Sequence, residues 1–193
     1  MKQIPTIETE RLRLRPFTLE DASEVQRLAG DWEIASTQPM IPHPYEDGIA
    51  EEWIRTHQEK FEKGEMANFA IAHREQNFLI GAISLTIHKE HEKAGLDYWI
   101  GKPYWNKGYC TEACHAVLKY GFDVLGLNRI YAYHLLRNPA SGRVIQKIGM
   151  KYEGCLRQDY KMWGKLEDSV VYGILKEEYA TAPSESLDRI ELR

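Results

Sequence analysis

The stretch from Tyr98 to Ala113 constrains this chain more than any other: Tyr-Trp-Ile-Gly-Lys-Pro-Tyr-Trp-Asn-Lys-Gly-Tyr-Cys-Thr-Glu-Ala. It opens with strand-forming residues, passes through a turn punctuated by Gly101, Pro103 and Gly108, and predicts a helix starting near Tyr109. A helix that emerges directly from a glycine turn leaves its first N–H groups without intrahelical partners. Those amides and the positive end of the helix dipole converge on one point, which favours an anion, phosphate above all. Lys107 places a full positive charge beside it. The chain is therefore expected to hold a phosphorylated molecule between a strand and a helix.

The surrounding pattern supplies the rest of a domain. Arg11–Arg15 alternates polar and apolar residues as a half-buried strand does. Thr18 and Asp21 mark a helix start, followed by Ala22, Val25, Leu28 and Ala29 at helical spacing. A Pro- and Gly-containing loop from Gln38 to Gly48 leads to a second helical region with Ile49, Trp53, Ile54 and Phe61 on one face. Three strands follow, 68–73, 79–86 and 94–100, joined by polar turns short enough to make them antiparallel neighbours. After the turn, Ala113, Ala116, Val117, Tyr120, Val124 and Leu125 form a helical stripe that Gly126 ends. Residues 129–134 read as a strand, and Asn138-Pro139 as a capped helix start. The last strands are expected at 151–156 and 169–175. Residues 1–180 read as a single domain, and 181–193 as a polar, loosely held tail.

With 193 residues the chain can bury one full core. A formal charge of −4 argues against a basic nucleic-acid-binding surface, and no apolar run is long enough to cross a bilayer. The N-terminus lacks the apolar segment of a secretory signal. Cys110, Cys114 and Cys155 are odd in number and, like the seven histidines, show no metal-ligand spacing. A metal-free cytoplasmic protein with reduced thiols is the expectation. Cys110, near a helix start and Lys107, is either a reactive thiol or a small buried filler.

Three segments, in this order, resemble the GNAT N-acetyltransferases: Glu8–Pro16, Tyr104–Ala113 and Asn138–Gly149. Within that family they look like the RimJ/RimL-type branch, whose best-known members acetylate the N-termini of ribosomal proteins. The resemblance implies an α/β (α+β) domain, a mixed and mostly antiparallel sheet flanked by helices. It implies acetyl-CoA as cofactor and direct transfer of acetyl to an amine in a ternary complex. It also implies that a homodimer is a common assembly. The turn departs from the family pattern, with Trp105 at its first position and Cys110 at its last. Gly95 stands where an acidic residue is frequent, and Arg137 where a glutamate is.

Carried over residue by residue, the resemblance assigns the pantetheine arm to backbone groups of Trp99, Ile100 and Gly101. It assigns the pyrophosphate to the turn Trp105, Asn106, Lys107, Gly108, Tyr109, Cys110 and Thr111. Asn138 is expected to contact the pantetheine, and Ser141 to lie near the sulfur and protonate the leaving thiolate. Tyr98, Asp97 and Tyr133 are candidates for handling the amine proton. An α-amine with a pKa of about 7.8 is roughly one-third neutral at pH 7.5, whereas a lysine at about 10.4 is neutral about one time in a thousand. A chain lacking the usual carboxylate at position 95 therefore favours a protein or peptide N-terminal amine. A small amine (polyamine, amino acid or antibiotic) is the alternative acceptor, and a non-catalytic acyl-CoA sensor the alternative class. Trp32, Trp53 and the segment 33–45 are expected to shape the acceptor cleft.

Overall fold

The computed structural model describes residues 3–181 and 191–192. Two short strands open it, β1 (Ile7–Glu8) and β2 (Leu12–Arg15), with Leu12 and Leu14 turned inward. Arg15 forks onto the Asp21 carboxylate through two bonds of 2.8 Å, and Asp21 also accepts from Thr18 N at 2.9 Å. These charge-assisted bonds fix the entry to α1 (Ala22–Ala29), whose buried face is the expected Ala22, Val25, Leu28 and Ala29. Helices α2 (Trp32–Ala35), α3 (Ile49–Arg55) and α4 (His57–Lys63) follow. The antiparallel meander β3 (Met66–His73), β4 (Leu79–His88) and β5 (Lys93–Ile100) builds the centre. Then come α5 (Tyr109–Lys119), β6 (Arg129–Leu135), α6 (Pro139–Lys147), β7 (Lys151–Met162), β8 (Lys165–Leu175), α7 (Lys176–Thr181) and β9 (Glu191–Leu192).

The strands form one mixed sheet, in the order β7-β8-β6-β5-β4-β3-β2-β1-β9. Among the described residues, β5 and β6 are its parallel neighbours. They pair at Lys93↔Arg129, Ala94↔Ile130 and Gly95↔Tyr131, and separate beyond that point. One face of the sheet, with Phe69, Ile83, Leu85, Leu96 and Ile130, packs on Ala113, Val117 and Leu118 of α5 and Ile145 of α6. The other face buries Ala70 and Leu79 beneath α1 and α3. This is the mixed, mostly antiparallel sheet flanked by helices that the sequence predicts.

Two local expectations are corrected. The helix after the turn is α-helical only to Lys119 and continues as a π-turn, Tyr120–Val124. The wider turn rotates the stripe, so Val124 is exposed, while Gly126 in the left-handed region still ends the segment. The last two strands are much longer than 151–156 and 169–175. The polar run 157–159 is absorbed by a bulge, where Gln158 has φ 54° and its N–H bonds Asp168. The hairpin then closes through Trp163 and Gly164, at φ 51° and 77°. Of the tail, 182–190 and 193 lie outside the described residues, and 191–192 pair with β1.

His57 is a buried polar group that packing, not hydrogen bonding, holds. Its ring lies edge-on to Trp53 and Phe17, with centroids 4.4 and 5.4 Å away, and neither ring nitrogen has a hydrogen-bond partner among the described residues. Burial, with a smaller contribution from Lys60, lowers its pKa from 6.5 to about 4. The folded state therefore holds His57 neutral while the unfolded chain protonates it first. Its contribution is whole above pH 6.5, falls as pH drops toward 4, and is constant below. His57→Phe should reduce the stability lost between pH 7 and pH 4.5 by about 2 kcal/mol, measured by urea unfolding at both pH values.

Candidate active site

The separation of β5 from β6 creates the site. Strand parity decides which main-chain groups of β5 face it, because a residue's N–H and C=O point to the same side of the strand and successive residues alternate. Gly101 N donates to Ile80 O at 2.8 Å, which places the backbones of Gly101 and, two positions earlier, Trp99 on the β4 side. Tyr98 and Ile100 face the opening. Gln38 Nε2 holds the Tyr98 carbonyl at 2.7 Å, and Trp105 Nε1 holds the Ile100 carbonyl at 2.6 Å. Of the three backbones expected along this edge, only Ile100 keeps that orientation. Tyr98 takes the place of Trp99, whose indole packs toward α1 and α3.

The turn after β5 brings residues 105–111 together as one concave segment. A 3₁₀ turn at Lys102–Tyr104 is followed by Asn106 at φ 59° and Gly108 at φ 79°. Gly108 is the N-terminal flanking residue of α5, and no side chain caps the helix there. The first-turn amides of Tyr109, Cys110 and Thr111 are thus open to a ligand. The Lys107 ammonium lies 5.7 Å from the Tyr104 ring centre. Cys110 is half-buried and packs on the core, while Cys114, one turn on, is fully buried. Burial pushes the Cys114 thiol well up. An anionic diphosphate suits this cradle: uncapped amides, one lysine, and a backbone at Gly108 that a side chain would strain.

The cleft between the strands gathers the remaining expected residues, Asp97, Tyr98, Tyr133, Asn138 and Ser141. Asn138 caps α6, its Oδ1 accepting from Ser141 N at 3.3 Å. The Tyr98 hydroxyl is 2.8 Å from Ser141 Oγ. Burial, reinforced by the nearby thiols, pushes the Tyr98 phenol far up, so it stays protonated. Asp97 is open to water along the cleft but walled by protein elsewhere, and that partial desolvation raises its pKa. It forms no ion pair among the described residues. Gly95 accommodates an aromatic neighbour: a Cβ there would stand 3.3 Å from the Tyr131 ring.

Thr37 and Gln38, within the expected segment 33–45, line the cleft from the loop after α2. Sequence reasoning missed His134 of β6 and Tyr160, in the part of β7 that the polar run 157–159 conceals. Tyr131, Tyr133 and Tyr160 form a row with ring centres 6.4 and 5.9 Å apart. Burial, then the bond to Tyr133, raises the Tyr160 phenol strongly. Two ties join the walls. Arg137 bonds Ser36 O and pairs with Glu167 at 3.0 Å. Trp163 at the hairpin tip meets Trp32 edge-on at 4.8 Å, beside His43. Trp53, by contrast, belongs to the His57 packing and takes no part.

Comparison with known proteins identifies the arrangement. Residues 11–151 match the family model described as an acetyltransferase (GNAT) domain. The chain belongs to the GNAT acetyltransferases. An uncharacterized N-acetyltransferase, p20 of Bacillus licheniformis, is 33% identical over 177 residues, 91% of this chain and 98% of its own. The structure of Mycobacterium smegmatis RimJ with CoA-disulfide superposes with a TM-score of 0.84 at 22% identity, covering 98% of this chain and 99% of RimJ. Vibrio cholerae spermidine N-acetyltransferase, solved with CoA and spermine, gives 0.76 at 24% identity over 88% of this chain and 98% of its own. This GNAT chain is accordingly an N-acetyltransferase that uses acetyl-CoA, and no helix among the described residues is long and apolar enough to span a membrane. One fold serves differently named enzymes, so acceptor choice lies with the side chains of the cleft.

The three thiols give a direct test of the turn. Exposed Cys155 should label fast and buried Cys114 slowly, with or without CoA. Cys110 labelling should slow at least about tenfold when CoA is added, the size expected when binding occludes a half-buried thiol. Mass spectrometry of the labelled peptides reads all three.

Proposed function

We propose that this acetyltransferase is a RimJ/RimL-like enzyme of the cytoplasm that acetylates the N-terminal α-amine of a protein or peptide. The observation that carries the reading is Asp97, an uncommitted carboxylate at the opening between β5 and β6. The neighbouring acids are occupied. Glu167 is paired with Arg137, Asp159 accepts from Ser169 at 2.5 Å, and Asp168 accepts from Gln158 N at 2.8 Å. A single free carboxylate matches an acceptor with one ammonium; a polyamine would leave further charges in an aromatic cleft without counter-ions. The ties across the cleft favour a thin chain that enters amine first, as a flexible N-terminus does.

The donor presents an activated acetyl thioester to the amine. The uncapped amides of residues 108–111 and Lys107 hold its diphosphate, the split edge at Tyr98 and Ile100 takes its arm, and Asn138 borders the arm where α6 begins. The Tyr98 amide is the strand donor placed to stabilise the oxyanion. Asp97 draws in the ammonium, which equilibrates to neutral amine at little cost because α-amines have a pKa of about 7.8. As the C–N bond forms, the amine proton leaves to Asp97 or to cleft water, with Tyr133 beside it. As the C–S bond breaks, Ser141 Oγ passes a proton to the sulfur while Tyr98 passes one to Ser141. Cleft water returns a proton to Tyr98 and carries away the one released by the amine, so the enzyme ends as it began and the products are the amide and the CoA thiol.

Asp97→Asn should lower kcat/KM for an N-terminal peptide about a hundredfold with little change in CoA affinity. Ser141→Ala and Tyr98→Phe should each lower kcat about tenfold or more at saturating donor. Initial rates on peptides that offer only an α-amine, only a lysine ε-amine, or spermidine test the acceptor. The α-amine peptide should be fastest; faster turnover of lysine or spermidine would overturn the assignment.

A further inference from the structure

The Glu8–Pro16 segment is the one signature that the reaction scheme leaves unused, and the structure shows where it goes. Arg11 lies at the turn into β2, about a hundred positions from the phosphate turn, yet among the described residues its side-chain hydrogen bonds, ion pair and ring contact fall on residues 107–112. Its Nη1 donates to the Lys107 carbonyl at 2.9 Å. Its Nε and Nη2 each reach Glu112 Oε2 at 2.7 Å. The guanidinium lies 4.9 Å from the Tyr109 ring centre, and its Nη2 is 3.3 Å from where a Cβ on Gly108 would stand. Glu112 is seated from the same side, accepting from Arg11 N at 2.8 Å and Thr9 Oγ1 at 2.6 Å.

Two consequences follow from elementary geometry and charge. The Lys107 carbonyl and the Gly108 N–H belong to one planar trans peptide and point in opposite directions. Pulling that carbonyl onto Arg11 turns the Gly108 amide away from Arg11, into the concave side of the turn. Second, Glu112 stands in the first turn of α5, where its charge would oppose a bound diphosphate. The guanidinium offsets that charge.

We propose that Arg11 is a positioning residue for the donor: through Lys107, Gly108 and Glu112 it sets the aim and the electrostatics of the diphosphate cradle without being required at the reacting atoms. This rests on the assignment of residues 105–111 to the diphosphate. A simple staple between β2 and α5 would affect stability only, so the two roles separate experimentally.

The test compares acetyl-CoA with acetyl-pantetheine, which has the thioester but lacks the diphosphate, as donors for wild type, Arg11→Ala and Arg11→Lys. Wild type should strongly prefer acetyl-CoA. Arg11→Ala should raise KM for acetyl-CoA about tenfold, the loss of roughly one charge-assisted hydrogen bond. Its kcat at saturation should stay within about twofold, and its kcat/KM with acetyl-pantetheine should not change. Arg11→Lys keeps the charge but not the planar fork, so it should show a smaller rise in KM; it also serves if the alanine variant does not fold. Folding is checked by circular dichroism and thermal melting. An unchanged KM for acetyl-CoA in a folded variant, or an equal loss with both donors, overturns the role of Arg11. A wild type that does not distinguish the donors overturns the cradle assignment itself.

Discussion

The structure depends on one interruption: β5 and β6 stop pairing after Gly95 and Tyr131. Because the two strands are parallel, each leads at the same end into a helix, α5 after β5 and α6 after β6. Both helix N-termini, with their positive dipole ends, therefore lie beside the opening. Unpaired main-chain groups inside a sheet are costly unless something satisfies them. Here Gln38 and Trp105 take the two exposed carbonyls of β5. The amides on that edge beyond Gly95 are not paired with β6.

The opening also joins two chemical environments. On the α5 and α6 side, Tyr98 and Ser141 form a short hydrogen-bonded pair in which burial keeps the phenol protonated. On the other side lie Asp97 and the row of Tyr131, Tyr133 and Tyr160. Adjacent residues of one strand point to opposite faces, so the Asp97 and Tyr98 side chains occupy the two sides without competing for space. The absence of a side chain at Gly95 makes room for Tyr131 rather than leaving a void.

Long-range ties hold these surfaces in register. Arg11 and Glu112 join the N-terminal strands to the phosphate turn across 101 sequence positions. Arg137 and the Trp32–Trp163 contact join the α2 region to the β6–α6 connection and the hairpin. These bonds contribute little to the core. Their effect is geometric, since they fix loops that would otherwise move independently of the sheet.

Periodicity and turn chemistry in the sequence determined most of the elements, the glycine turn at Gly108 and the Asn138 cap, and the resemblance pointed to the residues that meet around Ser141. Those signals are local: hydrophobic spacing, a capping side chain, a glycine at positive φ. Main-chain facing at 98–101 was not legible, because parity along β5 is set by its register with β4. Tyr160 and Trp163 were hidden because a bulge carries a polar run inside a strand, and only pairing with β8 makes that run part of the sheet. The contacts of Arg11 with Glu112, Arg137 with Ser36 and Trp32 with Trp163 span about a hundred positions or more, beyond any local pattern. Sequence thus decided the chemistry available to this protein; tertiary structure decided which groups face one another, because side-chain direction depends on register and packing between distant segments.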